Sequence, residues 1–272
     1  MTTSLPKDAS AQQRWVAALA SWEIPEHILA AAPESPWGFP PGLFHAVPEA
    51  SPPAPNISDA VALEVLPPGG TVIDVGVGAG RSSLALGRQA GLIIGVDPSE
   101  TMLERFAEAA EAADARVETV QGTWPEAAAR TGVADVVVCH HVVYNVSDLA
   151  PFIAALGRAA RRRVVVEMTA THPQTSLNRL WRELHGIQRP EGPTYSDLLA
   201  VLRELDRSPE LRCWSRPAHE GQIDRTDVVA FARRRLCLPA ERDPEIDALL
   251  GEDYVVRPRD VATIWWPGES ED

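Results

Sequence analysis

Hydrophobic residues follow two alternating patterns from Ser58 to Met168. Short continuous runs rich in Val and Ile are typical of buried strands, and they predict strands at residues 72–75, 92–96, 116–120, 135–139 and 164–168. Between these runs, apolar residues recur every three or four positions, which predicts helices at residues 58–65, 82–90, from 99 onward and at 149–156. Strands buried on both faces indicate an α/β fold, with a doubly wound, mostly parallel sheet and helices on each side.

The chain beyond Met168 continues this alternation less regularly. Helices are predicted at residues 177–184, 195–205, 227–236 and 244–250, and strands at 211–214 and 261–266. The sheet is therefore expected to have about seven strands. Two helical insertions, at about 174–205 and 225–250, are expected to cap it, and we take residues 58–272 as one domain.

Residues 1–57 precede this domain and differ from it in composition. A helical pattern at residues 12–21 leads into PESPWGFPPGLFHAVPEASPPAPN, residues 33–56, whose prolines exclude a regular helix or an interior strand. Trp37 and two phenylalanines give this segment apolar area to bury. The segment is therefore either an arm packed on the core or a lid over a site.

Composition and charge exclude several classes of partner. The formal net charge of the 272 residues is -13, which argues against binding a polyanion such as nucleic acid. The basic triplets at 161–163 and 233–235 are expected to be solvated helix ends. Three distant Cys indicate a reducing compartment, and neither a signal peptide nor a membrane-spanning stretch is visible, so we predict a cytoplasmic protein with no membrane partner.

The candidate chemistry begins with the glycines of TVIDVGVGAGRSS, residues 71–83. Gly76, Gly78 and Gly80 directly follow the first predicted strand, where a doubly wound sheet binds its ligand. The turn has no Lys, which excludes a phosphate-binding P-loop, and Arg81 stands where a dinucleotide fingerprint requires its third glycine. Asp97, at the end of the second strand, offers a carboxylate to both hydroxyls of a ribose. These residues indicate a nucleoside, and NAD remains one of the alternatives.

Asp74 narrows the choice of nucleoside. At the end of the first strand its carboxylate can orient an ammonium group, while N–H groups of the helix predicted to follow can donate to a carboxylate. A ligand with both groups is an amino acid joined to a nucleoside. The stretches DVGVGAG and GVDPSETML together resemble the first two motifs of the class I S-adenosylmethionine-dependent methyltransferases, which have a Rossmann-like fold. The resemblance covers residues 58–168 well and the remainder only in the order of elements.

This resemblance implies a set of cofactor-binding residues. Asp74 and the three glycines would hold the methionine part, with His140 near it, and Asp97 would hold the ribose. The residues that would surround the adenine follow the second and third strands: Pro98, Met102, Gly122, Thr123 and Trp124. The family usually has an acidic or polar residue after the third strand, where this chain has Gln121-Gly122-Thr123-Trp124. Thr123 and main-chain groups are the expected substitutes, and Trp124 is either a stacking or a packed residue.

Methyl transfer requires mainly that the acceptor be aligned and water excluded. His141 and Tyr144, which follow the fourth strand, are the candidate catalytic residues, although a hydrogen-bonded His at a strand end is the simpler alternative. The fifth strand ends in Glu167-Met168-Thr169, without the acidic pattern of the metal-dependent catechol-type enzymes, so we expect no metal. The motif of enzymes that methylate base amines is also absent.

The sequence thus predicts an S-adenosylmethionine-dependent methyltransferase acting on a small organic acceptor. The alternatives are an NAD(P)-dependent oxidoreductase and a protein that binds S-adenosylmethionine without catalysis. The oligomeric state is left open by the sequence.

Overall fold

The computed structural model describes residue 6 and residues 8–37, 55–217, 224–251 and 259–270. Seven strands within these residues form one sheet. They are β1 Gly70–Val75, β2 Ala90–Asp97, β3 Val117–Gln121, β4 Ala134–His140, β5 Ala160–Thr169, β6 Glu210–Arg216 and β7 Arg259–Pro267.

The strand order is β3-β2-β1-β4-β5-β7-β6. Strands β1 to β5 pair in parallel, and β7 pairs antiparallel with both β5 and β6. The predicted doubly wound, mostly parallel and seven-stranded sheet is therefore confirmed. The order reverses between β1 and β4, and this switch point puts the ligand crevice beyond the carboxyl ends of those two strands.

Helices connect the strands in the predicted order. They are α1 Ala11–Ala20, α2 Glu26–Ala30, α3 Ile57–Leu63, α4 Glu100–Ala112, α5 Ala128–Thr131, α6 Leu149–Ala159, α7 Asn178–His185, α8 Tyr195–Glu204, α9 Arg225–Arg235 and α10 Asp243–Leu250. Capping residues begin several of them: Asn56 and Asp59 form a capping box at α3, and the Ser99 hydroxyl accepts from Met102 at α4. None of the helices in these residues is long and apolar enough to cross a membrane.

The sheet is covered on both faces, as its continuous apolar strands predict. One face packs against α1, α6 and α8, where Trp15 is fully buried and its indole N–H donates to the Val146 carbonyl at 2.8 Å. The opposite face, which we call the α3 face, packs against α3 and α4 through residues such as Val61 and Phe106. Because side chains alternate along each strand, Asp74, His140 and Glu167 all fall on the α3 face.

The helix predicted at residues 82–90 is wrong. A single 3-10 turn, Leu84–Leu86, replaces it, and turns that bond three residues apart continue to Gln89. Strand β2 begins at Ala90, directly after these turns. The loss of this helix removes the helix N-terminus that the sequence offered to a ligand carboxylate.

A second, smaller core lies in the helical cap. Ile28 of α2 packs there with Leu180 and Trp181 of α7, Val229 of α9 and Ile246 of α10. Helix α8, which falls inside the predicted insertion at 174–205, instead packs on the sheet through Leu198 and Leu202. The cap is therefore built by α7, α9 and α10 together with a helix from the N-terminal segment.

The N-terminal segment is anchored to the cap by the basic triplet of α9. Arg233 and Arg234 pair with Glu34 at 3.0 and 2.6 Å, and Arg235 donates to the Pro36 carbonyl. The expectation that residues 233–235 are a solvated helix end is therefore wrong, because this end binds the chain itself. Residues 38–54, most of the Pro-rich segment, lie outside the described residues, and the choice between arm and lid stays a prediction for them.

Candidate active site

Asp74 is buried at the carboxyl end of β1 with no hydrogen-bond partner for either carboxylate oxygen. Burial raises the pKa of Asp74 from 3.8 to about 7, and Ser83 nearby opposes part of that rise, although its hydroxyl does not reach hydrogen-bond geometry with the carboxylate. An ionised carboxylate in such a place is costly unless a cation or donor meets it. The site is therefore shaped for a positively charged or hydrogen-donating group that the protein itself does not provide.

A second acid from α3 contributes to the same negative region. One oxygen of Asp59 accepts from the Asn56 N–H at 2.8 Å, while the other is buried without a partner. Burial is the main cause that raises the pKa of Asp59 to about 6, and the charge of Glu167 adds to it. The charge of Asp59 in turn raises the pKa of Asp74. Two acids that repel each other in a dry site favour an ammonium group between them.

The three glycines after β1 all have positive φ but differ in what surrounds them. A Cβ at Gly76 would meet Val142, and one at Gly80 would meet Phe106 and Leu84, so close packing explains both glycines. Gly78 has φ +52°, and a Cβ there would meet no protein atom within 4 Å. Of the three predicted cofactor glycines, Gly78 is thus the one that borders free space.

Asp97 ends β2 and connects this glycine loop to α4. Its Oδ2 accepts from the Gly78 N–H at 3.1 Å, and its Oδ1 accepts from the Ser99 N–H at 2.9 Å. Each oxygen keeps a lone pair for a further donor, as contact with two ribose hydroxyls requires. The structure therefore brings Gly78 and Asp97 together, as the two-motif prediction expected.

The residues predicted beside an adenine lie at the neighbouring ends of β2 and β3. Pro98 is exposed and Met102 half-buried, and the Gly122 N–H donates to the Asp97 carbonyl at 3.1 Å. The Thr123 hydroxyl donates to Glu126 at 2.6 Å. Trp124 is only 8% exposed and belongs to the main core, so packing alone accounts for it, and its stacking on a base stays a prediction.

His140 and His141 end β4 and face different surroundings. His140 is buried on the α3 face, its Nε2 has no partner, and burial lowers its pKa to about 4, which keeps it neutral. His141 is half-exposed and has φ +59°, an uncommon conformation for a residue other than glycine. Its Nε2 lies 2.9 Å from Oε1 of Glu167.

The predicted catalytic residue Tyr144 lies against the end of β5, and its catalytic role stays a prediction. Its hydroxyl lies 2.7 Å from the Thr169 hydroxyl and also accepts from the Thr169 N–H. Burial raises the pKa of Tyr144 above its usual range, so the phenol keeps its proton. The ring of Tyr144 also forms part of an aromatic wall.

Two further aromatic rings continue this wall. His172 stacks on Trp22 with ring centroids 4.1 Å apart and meets Tyr144 edge-on at 5.4 Å. Burial lowers the pKa of His172 to about 4, so this ring is neutral. Arg189 holds Trp22 from the cap side, with its guanidinium bonded to the main-chain carbonyls of Trp22 and Glu23. The N-terminal segment thus supplies one side of a wall next to the β4 and β5 ends.

Several residues of the site were not predicted from the sequence. Glu167 has a signal, because a charged residue interrupts the apolar run VVVEM of a buried strand. Asp59 and Trp22 have none, because their positions depend on how α3 and the N-terminal segment pack. No group of three or more His, Cys, Asp or Glu in the described ranges has an arrangement that could hold a metal ion.

Comparison with known proteins adds an independent line of evidence. The family model described as a methyltransferase domain matches residues 72–163, from β1 into β5, a segment that contains Asp74, Asp97 and His141. No curated protein matches the chain.

Solved structures share the fold over most of the chain. The YcgJ protein from Bacillus subtilis is 16% identical with a TM-score of 0.53, covering 78% of this chain and 98% of that one. A cyclopropane-fatty-acyl-phospholipid synthase-like protein from Lactobacillus casei is 15% identical with a TM-score of 0.53, covering 76% of this chain and 87% of that one. At such identities the likeness concerns the fold alone.

Proposed function

We propose that this chain is a class I S-adenosylmethionine-dependent methyltransferase that methylates a small organic acceptor held under the helical cap, and the matched methyltransferase domain and the fold support this proposal. The observation that carries the proposal is Asp74, a buried carboxylate with two unpaired oxygens, beside the open space at Gly78. Both lie at the topological switch point of the sheet, where such folds bind their ligands.

The residues present fit S-adenosylmethionine. Asp74, with Asp59, would hold the ammonium of the methionine part, and the main chain of the turn at Gly78 would lie against that same part. Asp97 would accept from the ribose hydroxyls. His140 is neutral and has a free Nε2, so it would line the methionine end without adding charge. When bound, the cofactor supplies a methyl group on a sulfonium, which leaves readily as a thioether.

The nicotinamide alternative is supported less well. Dinucleotide-binding sheets have the strand order 3-2-1-4-5-6, whereas here the antiparallel β7 lies between β5 and β6. Arg81 also replaces the third fingerprint glycine. Asp97 does not separate the two readings, because it would serve either ribose.

The proposal of a small acceptor is supported by the residues beside the β4 and β5 ends. Trp22, Tyr144 and His172 form an aromatic wall there. The net charge of -13 also disfavours nucleic acid. The wall is aromatic, and it suits an acceptor with an apolar body.

Transfer of a labelled methyl group to a panel of phenols, alcohols, amines, thiols and carboxylic acids tests this proposal. We expect label in at least one acceptor class, with S-adenosylhomocysteine formed in equal amount. Tight binding of S-adenosylhomocysteine without transfer to any member of the panel would favour the non-catalytic alternative.

Asp97→Ala is expected to weaken the cofactor while leaving the chain folded. Loss of a charge-assisted contact costs about 1.5–3 kcal/mol, which is roughly a ten- to hundredfold loss of affinity. Titration calorimetry with S-adenosylhomocysteine measures the loss, and circular dichroism checks the fold. Asp97→Asn, which keeps one oxygen for the Gly78 N–H, should lose less. Unchanged affinity in Asp97→Ala would remove Asp97 from the site.

A further inference from the structure

Four hydrogen-bonded side chains, three of them buried, form a network on the α3 face of the sheet that ends near the carboxyl end of β5. Trp214 Nε1 lies 2.9 Å from Thr263 Oγ1, which lies 2.6 Å from Ser58 Oγ. Ser58 Oγ lies 2.6 Å from Oε2 of Glu167. Ser58, Thr263 and Glu167 are each completely buried, so every proton in the network must be placed.

The direction of this network follows from the donors available. Indole N–H can only donate, so Thr263 Oγ1 accepts from Trp214. Ser58 donates its single hydroxyl proton to Oε2 of Glu167, so Thr263 is the donor between the two hydroxyls. The network therefore runs one way, from Trp214 to Glu167, and it supplies the carboxylate with a donor and no acceptor.

Glu167 is consequently an ionised acceptor whose other oxygen is also occupied by donors. Its Oε1 lies 2.9 Å from His141 Nε2 and accepts from Arg216 Nη2. Burial acts to raise the pKa of Glu167. The hydrogen bond with His141 and the charges nearby lower it by more, so the pKa of Glu167 lies well below the usual range. Because a carboxylate cannot donate, the proton between the two side chains belongs to Nε2 of His141.

This assignment leaves Nδ1 of His141 without a hydrogen-bond partner in the part of the chain that the structure describes, so this nitrogen is available to take a proton. The ring is half-exposed, whereas its partner Glu167 is buried, so the open end of the network is the imidazole. The left-handed backbone at His141 is held by its N–H, which donates to the Glu167 carbonyl at 2.8 Å. A non-glycine residue kept in this conformation by its surroundings is a common feature of functional sites.

We propose that Glu167 is a positioning residue that fixes His141 in the Nε2–H form, so that Nδ1 takes a proton from the methyl acceptor. This rests on the proposed function and narrows its acceptor to one whose attacking atom carries a proton at neutral pH, such as a hydroxyl or an ammonium group. Carboxylates and ionised thiols need no such base. The arrangement of a buried carboxylate, an oriented His and a reacting hydroxyl follows the logic of a catalytic triad.

The step balances with these groups alone. The bond between the acceptor atom and its proton breaks as the proton passes to His141 Nδ1, and the freed pair forms the bond to the methyl group. The bond between methyl and sulfur breaks with its electrons staying on sulfur. The resulting imidazolium is stabilised by Glu167 and later releases its proton to solvent. Four other groups face this pair: Arg216 from β6, His140 from β4, Asp59 from α3 and Arg81 from the glycine loop.

Nitrogen NMR of the full-length protein, labelled in its seven histidines, tests the assignment directly. His141→Gln identifies the signals of His141, and alkaline buffer keeps the ring neutral. We expect a proton on Nε2 and none on Nδ1 in the wild type. Glu167→Leu should give a mixture of both forms, and Glu167→Gln, which keeps an oxygen toward the ring, should retain the Nε2–H form. Glu64→Leu, which breaks the 2.7 Å ion pair with Arg163 on the protein surface, is the matched control and should change nothing at His141.

A proton on Nδ1 in the wild type would overturn the proposal, and so would an unchanged ring in a folded Glu167→Leu variant. The acceptor panel gives the second arm. Transfer to a hydroxyl or amine should fall about a hundredfold in Glu167→Leu, while S-adenosylhomocysteine binds as in the wild type. Transfer only to thiols or carboxylates would contradict the base. Failure of the wild type to bind S-adenosylhomocysteine would instead overturn the proposed function. The position of the proton on the His141 ring could still be measured by NMR in that case.

Discussion

Gly78→Val is expected to abolish binding of S-adenosylhomocysteine, more completely than removal of either Asp74 or Asp97. The new side chain would enter the space that adjoins Gly78, where no protein atom lies within 4 Å of the built Cβ. Valine would also be strained at φ +52°, which costs about 1–3 kcal/mol of stability. Calorimetric titration and thermal unfolding on one preparation measure the two effects.

Gly186→Val is the matched control for that strain. Gly186 ends α7 at φ +65°, and a Cβ there also meets nothing within 4 Å. This variant should lose a similar amount of stability, yet bind S-adenosylhomocysteine as the wild type does. If Gly78→Val stays folded and binds normally, the glycine loop is not the cofactor loop, and the main structural support for cofactor binding is lost.

Asp74→Asn is expected to make the protein more stable and its cofactor binding weaker. The pKa of Asp74 is about 7 in the folded protein and 3.8 ordinarily. Between pH 3.8 and pH 7 the folded state therefore keeps the proton of this carboxyl, whereas the unfolded state has released it. Stability therefore falls as pH rises through this window, by about 4 kcal/mol in all, and the loss is complete above pH 7. Asparagine carries no charge and escapes this loss.

Urea unfolding at pH 4 and pH 8 measures the difference between Asp74→Asn and the wild type. The free energy of unfolding of the variant, relative to that of the wild type, should be higher at pH 8 than at pH 4 by about 4 kcal/mol. Asp59→Asn gives a graded comparison, with a smaller gain, because the pKa of Asp59 is raised only to about 6. Cofactor affinity should fall about tenfold or more in Asp74→Asn, since the ammonium loses its charged partner. If the difference in unfolding free energy between Asp74→Asn and the wild type does not change with pH, the pKa of Asp74 is not raised by burial.

Local signals in the sequence were enough to predict most of the fold. Apolar runs placed the strands because each strand is buried on both faces and reads as continuous Val and Ile. The helix at residues 82–90 was wrong because the chain there forms turns that bond three residues apart, which the apolar pattern does not distinguish from an α-helix. The anchoring of α9 by Glu34 was missed because the two partners are about 200 residues apart in the sequence.

The site divides in the same way. Asp74, Gly78 and Asp97 could be grouped from the sequence because they lie at or just beyond strand ends, and the sheet brings adjacent strand ends together. The Glu167 network was not, because it requires Ser58 of α3 and Thr263 of the reversed β7 to meet at one point of the α3 face. Tyr144 shows the converse limit: its position was predicted near the acceptor, but the bond to Thr169 that occupies its hydroxyl is set by packing.

The most direct test of the central claim is calorimetric titration of the wild-type chain with S-adenosylmethionine, S-adenosylhomocysteine and NAD under one set of conditions. We expect the first two to bind at one site per chain and NAD to give no heat of binding. Binding of NAD without binding of S-adenosylhomocysteine would contradict the account and favour a nicotinamide-dependent oxidoreductase.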